Sequence, residues 1–367
     1  MSDVQPPALE VRNLQTHFET PHGIARSVDG VSFTLPTSHV LAVVGESGSG
    51  KSVLSRTIMR LTPKVNTKSS GEVLLSGVDL MKLREKDMRS IWADRLSMVF
   101  QDPMTALNPV MPVGDQISEL LLRHKLVPKA ELKTAAIAAL ASVGIPDPVA
   151  RANQYPHELS GGMRQRVMIA IALAGNPELL IADEPTTALD VTIQAQIMTL
   201  LRQQQTQRRM SMILITHDLG IASAYADDLM VMYAGQVVER GPAAEVLRKP
   251  RSPYTEALRR SIPRLANPSH ARLEVIPGRP PTMTDLPKGC RFAPRCRYAQ
   301  DKCLTEVPGI EKETQTEHEY RCFYPVGTAA NRGALALNLE RGRTAAGLPV
   351  SQRLEKHAGR RSKEILL

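Results

Sequence analysis

The sequence has no uninterrupted apolar run of the roughly 18 or more residues that a membrane-spanning helix requires. Its greasiest stretch, Val167 to Ala174, has the length of a buried core element, so the chain is not expected to cross a bilayer. A secretory signal is lacking as well. The opening MSDVQPPALE carries acid and two prolines where basic residues and then an apolar stretch would be needed, and export is not expected. Internal repeats and heptad stretches are absent, which excludes a solenoid or a long coiled-coil arm. Tryptophan occurs once. Cysteine is missing from the first 289 residues and then occurs four times within 33, at Cys290, Cys296, Cys303 and Cys322. Such crowding asks for a cause.

What is present fits one large α/β domain with a smaller appendage, the size that 367 residues allow. The proportions of 42% hydrophobic and 23% charged residues are those of ordinary globular proteins. The formal charge of +9 could suggest nucleic acid as a partner. However, residues 327–367 hold eight Lys or Arg against three Asp or Glu, so much of the excess sits in a solvated basic tail and no nucleic-acid partner is expected.

From Leu9 to about Arg260, short β-branched runs alternate with helical periodicity, the pattern of parallel strands joined by crossover helices. Strands are predicted at Val40 to Val44, Leu96 to Phe100, Leu179 to Ala182 and Met212 to Ile215, each an apolar run of the kind buried on both faces. Between them, Gly114 to Arg151 reads as Leu- and Ala-rich helices inserted into the sheet domain. Beyond Ser261, Pro263, Pro268, Pro277, Pro280, Pro281 and Pro287 predict a linker or loop-rich module rather than another layer of sheet and helix. After Pro325 the periodicity fades, and a poorly ordered tail is expected.

The first predicted strand runs into Gly45-Glu46-Ser47-Gly48-Ser49-Gly50-Lys51-Ser52, a full P-loop pattern opening a helix. Glycines let successive N–H groups curl toward phosphates, and the helix N-terminus adds its positive end. Lys51 would bring a charge to the outer phosphates of ATP, and Ser52 a hydroxyl to Mg²⁺. A surface turn would explain the glycines, but not Lys51-Ser52 between a strand and a helix. The strand ending in Asp183-Glu184 supplies the acids: consecutive carboxylates at the end of a buried strand are costly unless a cation or substrate meets them. Asp183 is assigned to the Mg²⁺ shell, and Glu184 to orienting and polarising the attacking water. Ser160-Gly161-Gly162 before a helix reads as a second anion-binding nest without a lysine. Phe18, ahead of the P-loop, is a candidate to stack on adenine, or else a core phenylalanine near an early strand.

Together with the P-loop, further segments resemble the nucleotide-binding subunits of ABC transporters. Leu159-Ser160-Gly161-Gly162-Met163, followed by Arg164-Gln165-Arg166, resembles the signature, with Met163 where Gln is usual. Ala188-Leu189-Asp190 is similar to the D-loop, Thr216-His217-Asp218 to the switch histidine segment, and Gln101 to the Q-loop glutamine. The resemblance implies that Gln101 joins the Mg²⁺ shell, that His217 contacts the γ-phosphate and that Asp190 crosses a dimer seam. It also implies that the signature of one subunit closes over ATP held by its partner. The fold implied is a P-loop NTPase (RecA-like) ABC domain over residues 1–260 with a helical subdomain at about 105–165. A cysteine-rich C-terminal module at 261–325 and a flexible basic tail at 326–367 would follow.

The Q-loop segment Gln101-Asp102-Pro103-Met104-Thr105-Ala106-Leu107-Asn108-Pro109 and the Met163 variant narrow the resemblance to the dipeptide and oligopeptide importer ATPases. That implies ATP hydrolysis driving peptide uptake at the cytoplasmic face of the inner membrane. The partners implied are two transmembrane permease subunits, a second and paralogous ABC ATPase, and, indirectly, an extracytoplasmic substrate-binding protein. The four cysteines resemble that family's cysteine-rich extension, which implies a [4Fe–4S] cluster. Spacing alone leaves a Cys₄ zinc site or unligated thiols open. An importer ATPase for nickel or glutathione, and a non-transport ABC ATPase, are the alternative functions.

Overall fold

The computed structural model describes residues 6–187, 189–261, 275–313 and 316–350. The strands of the first half are β1 (Leu9–Thr20), β2 (Gly23–Leu35), β3 (Val40–Val44), β4 (Thr67–Leu75), β5 (Val78–Asp79) and β6 (Leu96–Val99). Those of the second half are β7 (Leu179–Asp183), β8 (Ser211–Ile215), β9 (Asp228–Tyr233), β10 (Gln236–Pro242), β11 (Glu311–Lys312) and β12 (Glu319–Tyr320).

The larger sheet has the order β11-β12-β10-β9-β3-β8-β7-β6. Its centre is parallel: β3 pairs with β8 and β9, and β7 with β6 and β8. The four runs predicted as strands are β3, β6, β7 and β8, and every residue of each is buried. β6 stops one residue early, where its pairing with β7 ends at Val99, and Phe100 is 40% exposed. Alternate side chains feed opposite faces, as the pleat requires. Leu180, Ala182, Met212 and Leu214 pack with the helical insert, whereas Leu179, Ile181, Ile213 and Ile215 pack under the second sheet. Each buried Leu or Ile contributes roughly 1.5–3 kcal/mol, which makes this sheet a stiff base for the loops at its strand ends.

That second sheet, β2-β1-β4-β5, is antiparallel and was not anticipated as such. The helical insert contains Val113–Arg123 and Leu132–Ser142, packed on the long helix Gly161–Leu173.

The described residues of the C-terminal module are mostly loops, but they also add strands to the main sheet. β12 pairs with the edge of β10, so the module extends the main sheet. A buried pair secures the join: His318 Nε2 lies 2.7 Å from Glu239 Oε1, and the Ser252 backbone N–H donates to Glu239 Oε2 at 3.0 Å. Within the tail expected to be flexible over 326–367, the structure describes residues 326–350 and places a helix there. Ala329–Arg341 forms a helix capped by Thr328, whose hydroxyl accepts from the Asn331 N–H at 3.1 Å. Its buried residues include two asparagines rather than an apolar stripe, which is why periodicity missed it. Pro263 and Pro268 of the predicted linker lie outside the described residues, as do tail residues 351–367.

Candidate functional site

β3 ends at Val44, and the helix Lys51–Ile58 begins seven residues on, leaving the predicted P-loop between them. Glycine is required at both ends of the loop. Gly45 has φ +152°, and a Cβ there would stand 2.2 Å from the Met232 carbonyl oxygen. Gly50 has φ +103°, with the Ser27 carbonyl oxygen 2.1 Å from the same hypothetical atom. Lys51 is buried, and its ammonium donates to the carbonyls of Gly45 (2.8 Å) and Glu46 (3.0 Å). Burial pushes its pKa down, against the opposing pull of the Glu184, Asp183 and Glu46 carboxylates. Ser49 Oγ is buried with no hydrogen-bond partner among the described residues. A buried hydroxyl is expected to be satisfied, and a phosphate oxygen seated in the loop would satisfy it. The loop therefore fits a polyphosphate.

Asp183, the last residue of β7, is 3% exposed and accepts a hydrogen bond from Ser52 Oγ at 3.2 Å. Burial raises its pKa, the Ser52 bond lowers it, and the Glu184 charge raises it further. The pair suits Mg²⁺, which takes hard oxygen ligands. When bound, the ion would neutralise charge developing on the phosphates. The sign of the linkage follows from the raised pKa. Folded Asp183 holds its proton to higher pH than the unfolded chain does, so its ionisation costs stability as pH rises through that window. Asp183→Asn is therefore expected to raise the melting temperature of the nucleotide-free protein at pH 8 by about 1–3 °C. The same variant should abolish Mg²⁺-dependent hydrolysis; calorimetry and phosphate release check the two halves.

Glu184 has φ +47°, an uncommon conformation for a non-glycine residue, held by its N–H donating to the Ile215 carbonyl at 2.9 Å. Its Oε2 accepts from Gln101 Nε2 (3.3 Å) and Thr187 Oγ1 (2.9 Å), and lies 3.4 Å from His217 Nδ1. Gln101 follows β6, Glu184 follows β7, and His217 comes two residues after β8. Three neighbouring parallel strands thus converge on one carboxylate at their C-terminal ends, where α/β sheets place ligands. A carboxylate fixed by several donors can orient a water and take up its proton. The Gln101 amide N–H is used here on Glu184 rather than on the Ser52–Asp183 pair. Thr187 was missed by sequence reading, although a hydroxyl three residues after the acid was a usable signal.

The remaining predicted residues lie apart from this cluster. Ser160 caps the helix Gly161–Leu173, its Oγ accepting from the Met163 N–H at 3.4 Å. No hydrogen bond or ion pair among the described residues links Ser160, Gly161 or Gly162 to the P-loop. A Cβ on Gly162 would stand 3.0 Å from Ile193, and one on Gly161 3.8 Å from Leu189, so signature and D-loop are neighbours. Asp190 caps the helix Val191–Arg208 through the Ile193 N–H at 2.9 Å; Ala188 of the D-loop lies outside the described residues. Phe18 is half-buried on β1, opposite Ala25 of β2 and Thr67 of β4.

All four cysteines are free thiols and line one cavity beneath β10 with Phe292 and Tyr298. Burial pushes every thiol pKa up, that of Cys290 to about 11. Backbone N–H groups oppose this: those of Phe292 and Ala293 face Cys290, that of Tyr298 faces Cys296, and that of Tyr324 donates to Cys322 Sγ at 3.3 Å. Also unforeseen was the ion pair between Glu46 of the P-loop and Arg295 of this module, with Nη1 2.6 Å from Oε2.

Residues 28–187 match the model of the ABC transporter family, and residues 238–303 that of the oligopeptide/dipeptide transporter C-terminal region. The chain is 50% identical over 311 residues to the oligopeptide transport ATP-binding protein OppD of Bacillus subtilis (strain 168), covering 84% of this chain and 87% of OppD. Among solved structures, an ATP-binding cassette captured as a dimer after hydrolysis, bound to ADP and Pi, aligns with a TM-score of 0.57. It is 26% identical and covers 64% of this chain and 98% of that one. A component of an ABC transporter complex of Clostridium perfringens aligns with a TM-score of 0.56 at 29% identity, over 66% of this chain and 91% of its own. The fold and site define an ABC-type ATPase. The chain belongs to the ATP-binding proteins of the oligopeptide/dipeptide branch of ABC transporters.

Proposed function

We propose that this protein hydrolyses MgATP to power the uptake of oligopeptides or dipeptides through a membrane importer. The observation that carries the peptide cargo is the match of residues 238–303 to the oligopeptide/dipeptide transporter C-terminal region, joined to an intact ATP site. Among the described residues no helix is long and apolar enough to cross a membrane, so the translocation path belongs to other subunits. Two permeases receive this ATPase and a paralogous second one at the cytoplasmic face of the inner membrane, and an extracytoplasmic binding protein delivers the cargo. ATP is held by the P-loop of one ATPase and the Ser160-Gly161-Gly162 nest of the other, with Phe18 against adenine, Asp190 at the seam and His217 at the γ-phosphate. Closure of the pair moves the permeases, and hydrolysis at Glu184 resets them. Uptake of labelled di- and oligopeptides by a strain lacking this chain, compared with nickel and glutathione uptake, tests the cargo. Loss of peptide uptake alone is expected; loss confined to nickel or glutathione would overturn it.

The four cysteines are proposed to hold a [4Fe–4S] cluster, supported by backbone N–H groups aimed at the sulfurs, as cluster sites use them. The cluster's place is structural or regulatory, since ATP hydrolysis moves no electrons. Anaerobically purified protein should be brown, and Cys303→Ser should bleach it; a colourless protein with stoichiometric zinc would refute the cluster.

A further inference from the structure

An acid at the second position of a P-loop is a puzzle, because the loop must accept a polyanion. Glu46 is that acid, and its carboxylate acts electrostatically on Lys51. Its partner explains how it is tolerated. Arg295 lies just before Cys296, in the short turn Ala293–Arg295, and its side chain is 3% exposed. The guanidinium engages Glu46 with both ends of its fork, Nη1 to Oε2 at 2.6 Å and Nη2 to Oε1 at 3.0 Å. Its orientation is set independently: Nε donates to the Pro277 carbonyl at 2.8 Å, and Nη1 to the Tyr233 hydroxyl at 3.3 Å. The Glu46 backbone is held as well. Its N–H donates to the Tyr254 hydroxyl at 2.9 Å, and its carbonyl accepts from Lys51. Tyr254, Tyr233 and Phe292 pack ring against ring at 4.6–5.3 Å, so the elements holding Glu46 form one aromatic block.

We propose that Arg295 is a positioning residue for the P-loop, through which the cysteine-rich module sets the affinity of this ATPase for its nucleotide. Arg295 fixes the second residue of the phosphate-binding loop and offsets a carboxylate that would otherwise repel triphosphate and compete for Lys51. A bidentate pair between a buried guanidinium and the partly exposed Glu46 carboxylate does both, which a lone lysine charge would do less well. Without Arg295, Glu46 keeps its charge and loses its anchor. The effect falls on binding, because Glu184, Gln101 and His217 follow the ends of other strands and, among the described residues, make no hydrogen bond or ion pair with Glu46 or Arg295.

The test uses the full chain, with equilibrium titration by trinitrophenyl-ATP and steady-state hydrolysis. Arg295→Ala should raise both Kd and KM roughly tenfold while kcat stays within about twofold. Adding Glu46→Gln to Arg295→Ala should restore most of the affinity, since the uncompensated charge is then gone; a role confined to folding the module would not be rescued this way. Wild-type affinity in Arg295→Ala, or a double variant as weak as the single one, overturns the proposal. Should melting show that Arg295→Ala does not fold, Arg295→Lys and Tyr254→Phe decide instead. Each is expected to raise KM about threefold at unchanged kcat, and wild-type KM in both refutes the role.

Discussion

Glu184→Gln is expected to keep ATP binding intact and to lower the rate of hydrolysis by at least about a hundredfold. The amide has the same shape, and its carbonyl still accepts from Gln101 or Thr187, the donors that hold the native carboxylate at 3.3 and 2.9 Å. What disappears is the charge that polarises a water and the oxygen that takes its proton. Removing a negative charge beside the γ-phosphate position leaves binding equal or tighter. Single-turnover hydrolysis and nucleotide titration separate the two effects, and with ATP the variant, mixed with the partner ATPase, should persist as a closed pair in size-exclusion chromatography. Hydrolysis at the normal rate would move the water-positioning role to another residue.

Lys51→Ala should act on the other side of the reaction, weakening ATP binding about a hundredfold, or roughly 3 kcal/mol, the scale of charge-assisted bonds to a buried ammonium. That ammonium rests on the Gly45 and Glu46 carbonyls, so it is placed at the loop it serves. Burial disfavours its charge, and a bound polyphosphate would restore what burial takes. Isothermal titration checks the size of the loss. An unchanged Kd would mean that the backbone nest alone holds the nucleotide.

The parts of this molecule readable from residues are those where local chemistry has one reason to exist. β3, β6, β7 and β8 are apolar runs because both of their faces are covered, and the P-loop and Asp183-Glu184 sit at their ends because strand ends are where the backbone opens. β1, β2 and β4 were harder to read. They pair antiparallel with register shifts near Val11, Leu14 and Thr16, which break the alternation that would betray a half-buried strand. The helix Ala329–Arg341 hides for a different reason: it is anchored by polar atoms. Asn338 is fully buried, donating to the Arg297 carbonyl at 2.9 Å and accepting from Gln300 Nε2 at 2.8 Å. Hydrophobic periodicity cannot register such an anchor. The Glu46–Arg295 pair joins residues 249 positions apart, and nothing local in either segment announces the other.

The cluster around Glu184 mixes both situations. Gln101 and His217 were placed by resemblance to a family pattern, and the geometry brings both to the same carboxylate oxygen. Ser160, Gly161, Gly162 and Asp190 fit the same resemblance, but within one chain Ser160 and Asp190 cap helices, and Gly161 and Gly162 open the first of them, with no hydrogen bond or ion pair to the P-loop among the described residues. Their proposed work requires a second ATPase facing this one, which a single chain does not contain.

The most direct measurement is ATP-driven accumulation of a labelled peptide in proteoliposomes holding the permeases, the partner ATPase and either the wild-type chain or Glu184→Gln. Accumulation by the wild type and background levels with the variant, both retaining bound ATP, is the result expected of an ATPase whose hydrolysis drives import. Equal accumulation by the two would contradict it.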